Sequence, residues 1–151
     1  MIPALLRRLL LISLPCLLLA CGEVEDTRPG QPVKQRQQAF KAMLRAFEPL
    51  GTMLRDKRYN AESFAKGVKE LAALRDAPWP HFGPDTQYPP SKSKNAVWDK
   101  PAEFALAREA FVVAVDGLSG AVAGGQQPAI EAAYQKVYET CQGCHKQFRE
   151  R

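Results

Sequence analysis

From Lys34 onward, apolar residues recur every three or four positions, the spacing of helices that bury one face. Phe40, Met43, Leu44, Phe47, Leu50 and Leu54 form the first stripe. Pro49 lies inside it and predicts a kink or a split, because proline lacks the N–H that the helix ladder uses. Asn60 is a good N-cap for a second helix carrying Phe64, Val68, Leu71 and Leu74. Pro78-Trp79-Pro80 ends it. Residues 78–94 hold five of the chain's 12 prolines and read as a long irregular crossover. A third helix begins between Asn95 and Pro101, lines its inner face with Phe104, Ala107, Phe111, Val115, Leu118 and Val122, and stops at Gly124-Gly125. Pro128 suits the first turn of a fourth helix, which carries Ile130, Ala133 or Tyr134, Val137, Cys141, Cys144 and Phe148. No strand alternation and no internal repeat is present. The pattern predicts an all-α fold over residues 34–151, an antiparallel four-helix bundle with one long connection between helices two and three.

The pattern ahead of Lys34 is different in kind. Arg7-Arg8 precede an apolar run from Leu9 to Ala20, which has the length of a secretory h-region and is too short to span a bilayer. Residues 22–33 are polar and marked by Pro29, Gly30 and Pro32, a linker that the pattern leaves out of any core. Leu18-Leu19-Ala20-Cys21 resembles a bacterial lipoprotein box, with Leu19 where a small residue is commoner. That resemblance implies a signal peptide at 1–20, cleavage after Ala20, and lipid attachment to Cys21, whose thiol is the acyl-accepting nucleophile. It implies a periplasmic protein tethered to a membrane through residues 21–33. Gly22, in place of an aspartate, favours the outer membrane.

Composition removes several classes. Hydrophobic residues make up 46% and charged residues 25% of 151 residues, as in a globular domain and unlike a collagenous, disordered or multi-span chain. The formal net charge of +5 includes Arg7 and Arg8 of the leader. The rest is spread out, with no basic run interleaved with aromatics, so nucleic-acid binding is not expected. Of four cysteines, Cys16 leaves with the leader and Cys21 takes lipid. Cys141 and Cys144 remain for chemistry.

Those two stand in Cys141-Gln142-Gly143-Cys144-His145, the attachment signature of a c-type haem. Thiols three residues apart on a helix point to one side and reach the two vinyl groups along one haem edge. His145, one turn beyond Cys141, shares that face and can ligate the iron. A thioredoxin-like pair would need a βαβ setting, and a structural zinc site would need a fourth ligand. A free dithiol in an exported protein would also meet oxidising conditions. The motif therefore predicts one covalent haem c per chain.

Its position, on the last helix of a bundle, resembles the cytochrome c′ family. Further likeness lies in Arg36-Gln37, in Phe82-Gly83-Pro84-Asp85-Thr86, in Ser91 to Trp98, and in the ending Cys141-x-x-Cys144-His145-x-x-Phe148-Arg149, where Phe148 replaces the more usual tyrosine. In that family a first-helix residue one turn after Arg-Gln covers the haem face opposite the histidine. Methionine there ligates the iron, whereas an apolar or aromatic residue leaves it five-coordinate. Phe40 holds that position here. The resemblance thus implies an open, sterically guarded iron that binds NO and CO and discriminates against oxygen, with a distal face lacking hydrogen-bond donors. Met43 is the alternative sixth ligand if the register differs. Arg149 is implied to flank the proximal face, with a cation favoured by the helix C-terminus as the plainer reading. Arg36 is implied to lie in the haem vicinity. Met53, Trp79 and Trp98 read as core or haem-edge packing, and His81 as an ordinary loop histidine.

Two function classes follow: a module that captures or senses a diatomic gas, and an electron carrier cycling Fe(III)/Fe(II) with an unidentified redox partner. No acid–base pair is placed to cleave O–O bonds, so an enzyme is not expected. The family resemblance also implies a homodimer. Phe40 against Met43 separates the two classes.

Overall fold

The structure, a computed structural model, describes residues 24–151. The predicted leader at 1–20 and the predicted lipid site Cys21 lie outside the described residues.

Four long helices carry the fold. Helix α1 spans Pro32–Arg55 and α2 spans Ala61–Leu74, capped by Asn60, whose side chain accepts from Ser63 N at 2.8 Å. A crossover containing one 3₁₀ turn at Trp79–His81 leads to a single helical turn, α3, at Ala96–Asp99. Helix α4 spans Pro101–Gly124 and ends at Gly125, whose φ of 71° is a left-handed conformation suited to glycine. Helix α5 spans Gln127–Phe148, with Pro128 in its first turn. Among the described residues, no helix is long and apolar enough to cross a membrane.

Helix α1 runs unbroken through Pro49, against the expected kink or split. Pro49 and Arg45 are both exposed, so water can take the carbonyl that the missing N–H would have bound. Leu44, predicted to be on the inner stripe, is half exposed. The buried face runs instead through Arg36, Met43, Ala46, Phe47 and Leu50.

The bundle packs α4 on α5, α1 on α2, and α2 on α4. Phe64, Val68, Leu71, Val115, Leu118, Ile130 and Val137 are its fully enclosed centre. Gly67 lets α2 approach α1, since a Cβ there would meet the Leu50 side chain at 2.7 Å. Helices α1 and α5 are bridged differently, by Phe47 stacked on Tyr134 with ring centroids 4.5 Å apart. Gly51 makes room for that tyrosine, because a Cβ would collide with its hydroxyl end.

The predicted linker is folded from Asp26 onward, which corrects the expectation that it stays out of the core. Val33 is enclosed, and Asp26 is only 2% exposed. The Asp26 carboxylate accepts from Val33 N at 2.9 Å and Lys34 N at 3.2 Å, two donors that the start of α1 leaves orphaned. It also accepts from Arg28 N at 3.2 Å and from the Tyr88 hydroxyl at 2.8 Å. Gln31, at the cap position itself, makes no side-chain cap. Asp26 does that work from a distance and ties the incoming chain to the crossover.

Burial works against ionisation of Asp26, but the Tyr88 hydroxyl and the three N–H donors outweigh it and hold the carboxyl below its usual 3.8. A depressed carboxylate stabilises the fold above its unfolded pKa, and that contribution is lost as pH falls through the folded value. Asp26→Asn is therefore expected to speed amide hydrogen exchange at Val33 and Lys34 at neutral pH. The difference between wild type and variant should begin to shrink as pH drops below about 4 and close only below the depressed pKa of Asp26. Equal exchange rates at pH 7 would exclude the latch.

Candidate functional site

The last two turns of α5 carry Cys141, Cys144 and His145. Both thiols are free and half-buried, and Cys141 packs against the central cluster of the core. Burial pushes the Cys141 thiol up to about 11, helped by neighbouring Cys144, and burial raises Cys144 as well. A pair built for thiol–disulfide exchange has its thiolate favoured; here both stay protonated. His145 shows the opposite sign for the same reason. Desolvation, then the charge of Arg149, holds its imidazole pKa below 6.5. The neutral ring is favoured over the imidazolium, and it has a lone pair to give. Among the described residues no group of three or more His, Cys, Asp or Glu is gathered to hold a bare metal ion.

The turn that carries His145 is clamped from outside. Lys94 N donates to Phe148 O at 2.9 Å and Glu150 N donates to Lys92 O at 2.8 Å, around an isolated antiparallel bridge between Ser93 and Arg149. Phe148 is buried, edge-on to Phe104 at 5.3 Å.

From Phe148 a chain of rings leads back to α1. Phe104 meets Phe82 at 5.0 Å, and Phe40 meets Trp79 at 5.7 Å and Phe82 at 6.2 Å, both edge-on. Edge-to-face pairs of this kind fix ring orientation as well as burying area. Phe40 is thus a half-buried residue held by the crossover, while Met43, one turn on, is sunk in the core with Phe47 and Leu50. Met53 packs at the edge of the same cluster.

Arg36 sits behind this aromatic wall and is 2% exposed. Its guanidinium donates to His81 O at 3.1 Å, Thr86 Oγ1 at 3.0 Å, Thr86 O at 2.7 Å and Ser91 Oγ at 2.6 Å. It lies 4.9 Å from the Phe82 ring centroid and 5.8 Å from that of Trp98. Burial lowers its pKa, though not enough to discharge a guanidinium. All of these donors serve the crossover, so Arg36 positions the wall. His81 contributes its backbone to the 3₁₀ turn and to Arg36. Arg149 caps α5 beside His145, exposed.

The haem implied by the motif can be tested against one orphaned atom. Trp79 Nε1 is buried and has no hydrogen-bond partner, a state that normally requires a missing group. Trp98 Nε1, by contrast, donates to Gly83 O at 3.0 Å. A haem propionate is an acceptor of the right kind for Trp79, and the paired protonated thiols and neutral imidazole suit the rest of the group. The residues fit. The sequence placed Trp79 only as packing, and nothing in the pattern singles out its N–H. Beside Cys144, an open groove of about 560 Å³ runs between α4 and α5 past Ala107, Ala110 and Gly143, so the attachment edge is reachable from solvent.

The sequence model of the Cytochrome C′ family matches residues 31–149. Cytochrome c′ of Rubrivivax gelatinosus is 32% identical over 126 residues, covering 82% of this chain and 98% of that protein. A nitric oxide complex of a variant of cytochrome c prime from Alcaligenes xylosoxidans superposes with a TM-score of 0.77 at 28% identity, covering 84% of this chain and 100% of the other. The carbon monoxide-bound form of another variant of that protein gives the same TM-score, identity and coverage.

Cys141→Ala combined with Cys144→Ala is expected to abolish haem that survives denaturing electrophoresis. His145→Ala is expected to keep the covalent mass and change the ferric spectrum strongly. A wild-type spectrum in the histidine variant would remove His145 as axial ligand.

Proposed function

The chain belongs to the cytochrome c′ family, and from that premise we propose that it is a gas-binding, five-coordinate haem protein tethered on the periplasmic side of a membrane. Its family membership makes it a c-type haem protein with one covalently attached haem c per chain. The haem supplies an iron that cycles between the ferric and ferrous states and takes NO or CO. Cys141 and Cys144 would hold it by thioethers, and His145 would supply a nitrogen to its iron. Trp79 would offer its unpaired N–H to a propionate.

The observation that carries the five-coordinate reading is the state of Phe40. It has no lone pair, and Trp79 and Phe82 hold its ring edge-on from the crossover. A ring fixed by two neighbours opposes an incoming ligand sterically, because it must move against close packing. It offers no hydrogen bond to bound oxygen. Met43 is 7% exposed inside the α1 core, and a thioether engaged in packing there has to leave it to ligate. The NO and CO complexes of the Alcaligenes protein support the choice of ligand class.

Ferrous spectra with and without CO test this. Phe40→Ala should speed CO association and raise affinity. A full-core truncation of this kind costs about 3–5 kcal/mol, and less at a half-buried site. Phe40→Met should supply a thioether and move the spectrum toward six-coordinate, low-spin character, whereas Met43→Leu should leave it unchanged. A low-spin wild type turned high-spin by Met43→Leu would establish the electron-carrier alternative instead.

The periplasmic, lipid-anchored location rests on the box ending at Cys21, with Gly22 favouring the outer membrane. Cys21→Ser should release haem-loaded protein from membranes, because several acyl chains hold firmly where none does not. Unchanged fractionation would remove the anchor.

A further inference from the structure

Five cations meet at one end of the bundle. The Ser93–Arg149 bridge and the hydrogen bonds around it bring residues 92–94 against residues 146–151. Lys94 Nζ adds a bond to Lys146 O at 3.0 Å. Lys92, Lys94, Lys146, Arg149 and Arg151 therefore share a small area, in which Glu150 is the only acid within those two segments. None of the five forms an ion pair among the described residues. A cluster of unpaired cations repels itself and is relieved by an external anionic surface.

The topology says which surface. In an antiparallel four-helix bundle the start of α1 and the end of α5 lie at the same end. Chain leading to α1 is fixed there by Asp26, buried and bonded to Tyr88 of the crossover. Only five residue steps separate Asp26 from Cys21, which is at most about 18 Å of fully extended chain. A lipid on Cys21 thus holds this end, and no other, against the headgroups.

We propose that the end of the bundle bearing Lys92, Lys94, Lys146, Arg149 and Arg151 is a membrane-apposed face that docks on anionic phospholipid headgroups. The inference deepens the lipid-anchor reading, on which its geometry rests. The anchor supplies attachment. The cations add orientation, turning the haem-bearing end of α5 toward the bilayer.

The test uses haem-loaded protein exported with an ordinary cleavable signal ahead of Gly22, so that no acyl chain contributes. It is sedimented with vesicles of phosphatidylcholine, alone or mixed with phosphatidylglycerol. Binding is expected to the anionic vesicles only and to fall with added salt. Lys92→Gln combined with Arg151→Gln should weaken it by at least about tenfold, from roughly fivefold per surface charge. Lys66→Gln combined with Lys69→Gln, removing equal charge from α2, should leave it nearly unchanged. Absence of binding to anionic vesicles, or equal loss in both double variants, would overturn the proposal. So would salt-dependent capture of an acidic redox protein without vesicle binding. The anchor itself is read separately, from the acyl mass on Cys21 of the wild-type protein, so the two readings can fail independently.

Discussion

A single buried guanidinium organises the functional end of this protein. Arg36 comes from the first turns of α1, and its hydrogen bonds reach His81, Thr86 and Ser91 across the whole crossover. A chain segment with no regular structure of its own is thereby given one shape. Because charge-assisted hydrogen bonds of this kind are stronger than neutral ones, and because a buried cation left unpaired is costly, the arrangement is close to all-or-none. The aromatic wall of the crossover hangs from it. Trp79 and Phe82 are positioned to hold Phe40, and the strand-like stretch after Ser91 is positioned to pair with the end of α5.

The same dependence explains why the attachment motif can sit in the last turns of α5. The last turn of a helix frays when its carbonyls lack partners. Here Phe148 O accepts from Lys94 N, and Phe148 itself is enclosed against Phe104. The site is therefore built by two distant segments closing on one helical turn. Partial burial raises both thiols from their ordinary values, and desolvation with the charge of Arg149 lowers the imidazole, so the uncharged form of each is favoured.

Asp26 repeats the logic at the other terminus of the bundle's chain path. One carboxylate caps α1, receives the Tyr88 hydroxyl, and so joins the incoming chain to the crossover that Arg36 shapes. Incoming chain, crossover and the end of α5 converge on one end. A lipid attached a few residues upstream would make that end the one facing the bilayer.

The helices, the long connection and the cysteine–histidine triplet were legible in the linear sequence because each is a local signal. Periodicity marks a buried face, Asn60 and Gly125 mark ends, and thiol spacing on a helix is set within one turn. Leu44 shows the limit of that locality: the spacing admits it to the stripe, and only packing against α2 turns it outward. Pro49 likewise breaks a helix on local grounds, yet solvent at the exposed Arg45 carbonyl lets α1 continue. The partners of Arg36, the bond from Tyr88 to Asp26 and the gathering of five cations join residues about 45 to 60 positions apart. Those pairings leave no periodic trace in either segment, because each side chain is an unremarkable polar or aromatic residue until the fold sets its partner beside it. Only the tertiary structure decided them.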